Sequence, residues 1–351
     1  MKTSYAIQKG ITETLAGGIF NRFMQSRIKE RRNTLFFVDI AAGYIKECEK
    51  AGYEKETYDL GREWFGLIFS KLFTERVRIL PWNVVINGIL ASAWKTLGVL
   101  DEVHVEKRGK QLVGISANER ITDVIGKNMF CPGLVAGVYE VVFGRKTRYV
   151  GQKTVAGRYI YYHELLDELP EEYPSRGKEE YDRLNRLEPV KGFTLQDALA
   201  KGVFQMKGNR ILFRNKGVWQ VENTLFHMIG HRGILLERVP EISRKFFAEV
   251  LEKGSGGEEK LHLLKTLLQV MGWGLVTIVR RRKSTVVEIR NPPRGFQKAK
   301  DDYGFLARTI LGFMKNIDSF YELRKVQAKG NTVSMEYLRR GARAAVARGR
   351  A

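Results

Sequence analysis

Two histidines stand four residues apart in Phe226-His-Met-Ile-Gly-His231. On a helix that spacing puts both imidazoles on one face, within reach of a single metal ion. A metalloprotease pair needs an acidic residue between them; here Met228 follows the first histidine. Zinc takes three or four ligands, and no nearby Cys or Asp supplies the rest, so His227 and His231 read as structural. The cysteines, Cys48 and Cys131, are too few for a disulfide framework or a thiolate site. They read as small buried hydrophobes. The glycine-rich stretch Lys253–Gly257 has no following Lys-Ser or Lys-Thr, so it is not a phosphate-cradling loop. No serine, cysteine or paired carboxylate stands in a recognisable nucleophile or acid/base arrangement. The expectation is a protein without enzymatic activity, metal or cofactor.

The cations carry more information. Sixty Lys and Arg face thirty-nine Asp and Glu, a net charge of +21. A surplus of one sign costs self-repulsion and points to a polyanionic partner. Lys107, Arg108 and Lys110 fall in one turn; Arg280, Arg281, Arg282 and Lys283 fall in another. Arg145, Lys146 and Arg148 form a third group, and Lys207, Arg210, Arg214 and Lys216 a fourth. Arg290, Arg294, Lys298 and Lys300 surround Asn291-Pro-Pro293 and Phe296, a rigid loop whose ring is placed to stack on a base. The chain ends in an acid-free stretch with Arg339, Arg340, Arg343, Arg348 and Arg350, the composition of an arm that orders along a phosphate backbone.

The elements that position these groups follow from periodicity. Apolar residues at three- and four-residue intervals predict helices over Ile7–Arg32, Thr34–Tyr53, Glu54–Phe73, Trp82–Leu97, Phe193–Gly202, Val218–Ile229, Val239–Lys253 and Glu258–Met271. Alternation around short turns predicts hairpins at Val103–Glu106 with Gln111–Ser116, at Val203–Met206 with Arg210–Phe213, and at Leu275–Arg281 with Ser284–Arg290. Hairpin tips project, so cations placed there reach a partner's phosphates at little desolvation cost. The stretch Glu164–Pro189, rich in proline and carboxylates, reads as an exposed connector and domain boundary. Glycines recur in order on both sides of it: Gly98, Gly137 and Gly157, then Gly272, Gly312 and Gly330. This is the mark of an internal repeat.

The segment Phe130-Cys-Pro-Gly-Leu-Val-Ala-Gly137, followed by a strand, Gly157 and the aromatic strand Tyr159–Tyr162, resembles the vinyl reductase domain. That domain is related to small subunits of the vesicle-tethering transport protein particles. Gly61-Arg-Glu-Trp-Phe-Gly66 agrees, and a second copy shows in Gly208–Phe213, Met271-Gly-Trp-Gly274 and Gly304–Gly312. The resemblance implies an α+β fold of two tandem vinyl-reductase-like units. Each would be a helical layer packed on a small antiparallel sheet with an apolar pocket, and the two would form an internal pseudo-dimer. The division it suggests is a first unit over 1–165, an acidic connector over 166–190, a second unit over 191–338 and a basic tail over 339–351. Family members that bind metal carry cysteines in the last two strands. Lys153, Thr154, Ala328 and Ser334 stand there in this chain, so no metal is expected.

The leading expectation is a non-enzymatic nucleic-acid-binding protein that takes structured RNA or a ribosomal particle rather than DNA, in ribosome-associated or translation-regulating work. No helix-turn-helix, zinc finger or basic zipper favours DNA. One alternative is a sensor of a small apolar ligand held by residues such as Trp94, Val138, Leu268 and Phe313. The other is a tethering or assembly protein. A homodimer is a further expectation. The N-terminal stretch lacks the apolar core of a signal peptide and no apolar run approaches the ~20 residues of a membrane span, so a cytoplasmic location is expected.

Overall fold

The computed structural model describes residues 33–73, 77, 79–96, 99–185, 195–208, 210–252 and 254–340. The expected helix at Ile7–Arg32 and the tail arginines Arg343, Arg348 and Arg350 lie outside them. The fold is α+β, and among the described residues the strands form three four-stranded antiparallel sheets.

The first half begins with β1 (Asn33–Phe37), α1 (Val38–Lys50) and α2 (Glu54–Leu72). A π-helical stretch, Val84–Leu90, runs into α3 (Ala91–Thr96). Hairpin β2 (Glu102–Arg108) and β3 (Gln111–Ala117) is followed by α4 (Arg120–Ile125), α5 (Phe130–Phe143) and hairpin β4 (Thr147–Val155) and β5 (Arg158–Leu165). Strands β3 and β5 pair, giving the order β2-β3-β5-β4.

After α6 (Lys178–Leu184) and α7 (Leu195–Ala200) come β6 (Phe204–Lys207), β7 (Arg210–Phe213) and β8 (Lys216–Glu222). Helices α8 (Thr224–Arg232), α9 (Val239–Val250) and α10 (Gly257–Val270) follow. The chain then repeats the hairpin–helix–hairpin order with β9 (Leu275–Arg280), β10 (Ser284–Arg290), α11 (Gly304–Met314), β11 (Tyr321–Lys329) and β12 (Thr332–Arg339). Its sheet order, β9-β10-β12-β11, matches that of the first half. The correspondence extends to irregularities: β4 shifts register between Tyr149 and Gly151, and β11 does so between Leu323 and Lys325.

The repeated glycines seat the central helix of each half. A Cβ on Gly137 of α5 would lie 2.3 Å from the Arg62 carbonyl oxygen of α2. One on Gly312 of α11 would lie 2.5 Å from the Pro240 carbonyl oxygen of α9. Backbones in such contact leave no room for a side chain.

Two expected helices are corrected. Thr34–Phe37 and Val218–Glu222 are extended, and they pair with each other as β1 and β8. Short apolar runs do not distinguish a strand from a helical turn. Here tertiary partners decide: the Leu35 N–H donates to the Met271 carbonyl, and the Leu35 carbonyl accepts from the Trp273 indole at 3.2 Å. Phe36 on β1 then meets Phe226, Trp273 and Phe305, so β1 joins a core shared with the second half. The stretch expected to be an exposed connector is also anchored. Tyr181 is fully buried and stacks on Phe296 with ring centroids 3.7 Å apart, and Arg176 binds Asp301 at 2.9 Å.

Candidate functional site

The pairing of β10 with β12 sets Ser284 opposite Leu338. One step further, the Arg339 N–H donates to the Lys283 carbonyl over 2.9 Å. The β9–β10 turn and the end of β12 therefore share one end of the sheet. Arg281, Arg282 and Lys283 are exposed there, and among the described residues no carboxylate lies within ion-pair distance of them. Arg280 meets Glu258 at 2.5 Å, Arg340 meets Glu322 at 2.7 Å, and Arg339 pairs with Asp318. The side chains of these three arginines are half exposed. Exposed pairs hold weakly, so a phosphate can replace the carboxylate.

The first-half turn looks alike in sequence but differs in surroundings. Lys107 is exposed and Arg108 meets Glu106 at 2.7 Å. Strand pairing gathers Lys110, Arg145, Lys146 and Arg148, two separate groups in the sequence, at the same sheet end. The acidic stretch after β5 runs over them. Lys110 and Arg145 both pair with Asp167, Arg148 pairs with Glu164, and Lys146 lies 3.6 Å from Glu168. In the fourth group Lys207 is exposed, while Arg210 is countered by Asp101, Arg214 by Glu252 and Lys216 by Glu249.

The Asn291–Phe296 loop does not present a stacking surface. Phe296 is fully buried against Tyr181, which corrects its expected role. Arg290 and Arg294 are not brought to the cationic turn; β10 carries Arg290 to its opposite end, roughly 20 Å away. The Arg294 side chain is 13% exposed and turns to Asp301 at 3.4 Å. Asp301 also accepts from Arg176 and from the Gly295 N–H, both at 2.9 Å. Burial pushes its carboxyl upward, but His227, Arg176 and Gly295 outweigh burial and hold it below its ordinary value. His227 is buried, with Nδ1 2.8 Å from the Asp302 carbonyl oxygen and Nε2 3.1 Å from that of Pro293. His231 is exposed. Among the described residues no three His, Cys, Asp or Glu side chains are arranged to hold a metal.

A second feature lies between the helices and the sheet of the first half. A pocket of about 70 Å³ is walled by apolar side chains including Phe65, Trp94, Leu134 and Val138. Its polar members come from separate elements: Ser116 on β3, Glu119 and Arg120 at the start of α4, Tyr139 on α5, Tyr161 on β5 and Trp219 on β8. The Glu119 carboxylate accepts from the Tyr161 hydroxyl at 2.5 Å, from Thr122 at 2.8 Å and from Ser116. Burial raises its pKa, with those hydroxyls opposing the rise. Burial likewise lifts the Cys131 thiol well above its ordinary range, which makes it a poor nucleophile. Tyr139 and Trp219 are 1% and 5% exposed, and among the described residues neither the hydroxyl nor the indole N–H has a hydrogen-bond partner.

Trp94 and Val138, expected to face a pocket, do line this one. Leu268 lines a much smaller space in the second half, about 20 Å³, while Phe313 packs in the core against Phe247. Sequence reasoning missed Glu119, Tyr139 and Trp219. One available signal was Gly114 inside a strand, a mark of close approach: a Cβ there would lie 2.7 Å from the Tyr139 hydroxyl.

Comparison of the chain with family models, curated proteins and solved structures gave no match.

Proposed function

We propose that the chain is a non-enzymatic, cytoplasmic nucleic-acid-binding protein. In this reading, two tandem vinyl-reductase-like units form the scaffold, and structured RNA, free or in a ribosomal particle, is gripped at one end of the second sheet. One observation carries the reading: Arg281, Arg282 and Lys283 project without carboxylate partners among the described residues, and the Lys283 carbonyl is hydrogen-bonded to the strand end that precedes the arginine-rich tail in sequence. A phosphate backbone meets charge there without displacing a buried group. The repeated sheet order and the matching glycine contacts support the tandem part of the reading.

The test is a sedimentation and gel-shift series with ribosomal subunits, ribosomal RNA and duplex DNA at low and moderate salt. The reading expects binding to the RNA-containing partners that weakens steeply with salt. No binding to any of the three at low salt would overturn it.

A further inference from the structure

An open groove of about 710 Å³ lies between the C-terminal ends of α2 and α5 and the acidic stretch after β5. One side is apolar, with Phe73, Val77, Leu80, Val85 and Phe143. The other carries Glu140, Glu171 and Glu172 beside Tyr173 and Ser175. Ser70 and Lys71 of α2 complete the polar lining among the described residues. Three carboxylates thus meet one cation, in a chain whose net charge is +21. Glu140 and Glu171 lie 3.6 and 3.1 Å from Arg62, and Glu171 is also 3.9 Å from Lys146. Among the described residues no cation comes within ion-pair distance of Glu172. The rim is left apolar: Ile79 is 81% and Leu169 84% exposed, and Leu80 and Val84 are exposed as well. Ile79, Val84 and Leu169 adjoin the lining residues Leu80, Val85 and Pro170 in sequence. Apolar residues exposed singly are ordinary, but several around one groove mark a contact surface.

An occupant with an apolar face and basic flanks fits these walls, and the chain itself supplies one. Residues 1–32, which precede β1, hold seven Lys and Arg against two Glu. On the helix that periodicity predicts over Ile7–Arg32, Phe20, Phe23 and Met24 share one face, with Arg22 opposite and Arg27 one turn beyond Phe23. The point of attachment is close to the groove. Asn33 opens β1 opposite Glu222, whose carboxylate accepts from the Trp64 indole at 3.3 Å. From Trp64 the groove residues Gly66, Leu67 and Ser70 follow along α2, roughly 3–9 Å away at 1.5 Å per residue. An extended chain covers about 3.3–3.6 Å per residue, so the short run Lys29–Arg32 spans that distance.

We infer that the groove is the docking site of the chain's own N-terminal segment, Ile7–Arg32. Phe20, Phe23 and Met24 pack on the apolar side, and the segment's cations turn toward Glu172. The docked segment covers the exposed apolar rim around Ile79 and Leu80. The groove is separate from the cationic strand end of the second sheet, so this docking stands or falls independently of nucleic-acid binding.

The test uses the full chain carrying Leu80→Cys and follows the rate at which N-ethylmaleimide labels the new thiol. Cys48 and Cys131 are buried, and the parent chain gives their background. The Leu80→Cys thiol is expected to react slowly. Adding Phe20→Asp, Phe23→Asp and Met24→Asp is expected to speed it at least about tenfold, the worth of burying one such side chain. Val155→Cys, at an exposed position at the end of β4, is the control, and the same triple substitution should leave its rate unchanged. Protection of Leu80→Cys that persists on dilution places the segment in the groove of its own molecule. Circular dichroism confirms that each variant is folded; should Leu80→Cys fail to fold, Ile79→Cys takes its place. Equal rates at this position with and without the triple substitution would overturn the inference, as would protection that fades on dilution, which assigns the groove to the segment of another copy.

Discussion

The Arg339 N–H donates to the Lys283 carbonyl over 2.9 Å, and at the matching place in the first half the Leu165 N–H donates to the Lys110 carbonyl over 2.8 Å. The same bond thus closes the same corner of two sheets. The residues beyond the two corners differ in charge. Leu165 leads into Asp167, Glu168, Glu171 and Glu172; Arg339 leads into Arg340 and the tail arginines. Two turns of similar charge are left in opposite electrostatic settings by these neighbouring segments.

This relationship predicts the effect of removing the acids. In the full chain, Asp167→Asn with Glu168→Gln, Glu171→Gln and Glu172→Gln should free Lys110, Arg145 and Lys146. Each freed cation that reaches a phosphate adds about one to the slope of log affinity against log salt. A filter-binding series with structured RNA should show tighter binding and a steeper slope.

The helix crossings should tolerate no added methyl group. Gly137→Ala would set a Cβ 2.3 Å from the Arg62 carbonyl oxygen, and Gly312→Ala one 2.5 Å from the Pro240 carbonyl oxygen. Overpacking of this kind costs about 1–3 kcal/mol or more, visible as a lower denaturation midpoint. Gly88, with nothing within 4 Å of its would-be Cβ, is the control, and Gly88→Ala should not lower that midpoint.

Asp301 makes a prediction with a defined pH sign. Its folded carboxyl is held below the ordinary 3.8. The stability it contributes is therefore complete above that value and is lost as the pH falls through the lower, folded one. Asp301→Asn strips the carboxylate from Arg176 and Arg294, whose side chains are only 11% and 13% exposed, a loss of about 3–5 kcal/mol near neutrality. The gap in unfolding free energy between parent and variant should narrow as the pH is taken below 3.8.

Phe296 separates a structural role from a nucleic-acid role. Phe296→Ala empties the stack with Tyr181 and should cost about 3–5 kcal/mol of stability. Measured below its melting temperature, the variant should keep the parent's salt slope for RNA, because the ring faces no solvent.

Local features were legible in the sequence and contacts between distant segments were not. Alternation marked both central hairpins, the apolar stripe marked α2, and glycine spacing marked the two close helix crossings. The strands β1 and β8 were not legible, because Asn33–Phe37 and Val218–Glu222 are extended only through pairing with each other and with the core. Tyr139 and Trp219 meet one pocket from opposite parts of the chain, and no local pattern announces that. Likewise Asp167 beneath Lys110 and Arg145 follows from sheet register, not from residue spacing along the chain. Phe296 illustrates the same limit: beside Pro-Pro and among cations it reads as a surface ring, yet Tyr181 covers it from a segment far away in sequence.

The most direct measurement is the salt dependence of structured-RNA binding by the full chain and by its Arg281→Ala, Arg282→Ala, Lys283→Ala triple variant. The account predicts that the triple variant binds more weakly and that its slope of log affinity against log salt falls by about two to three. A slope and affinity unchanged from the parent would contradict the account.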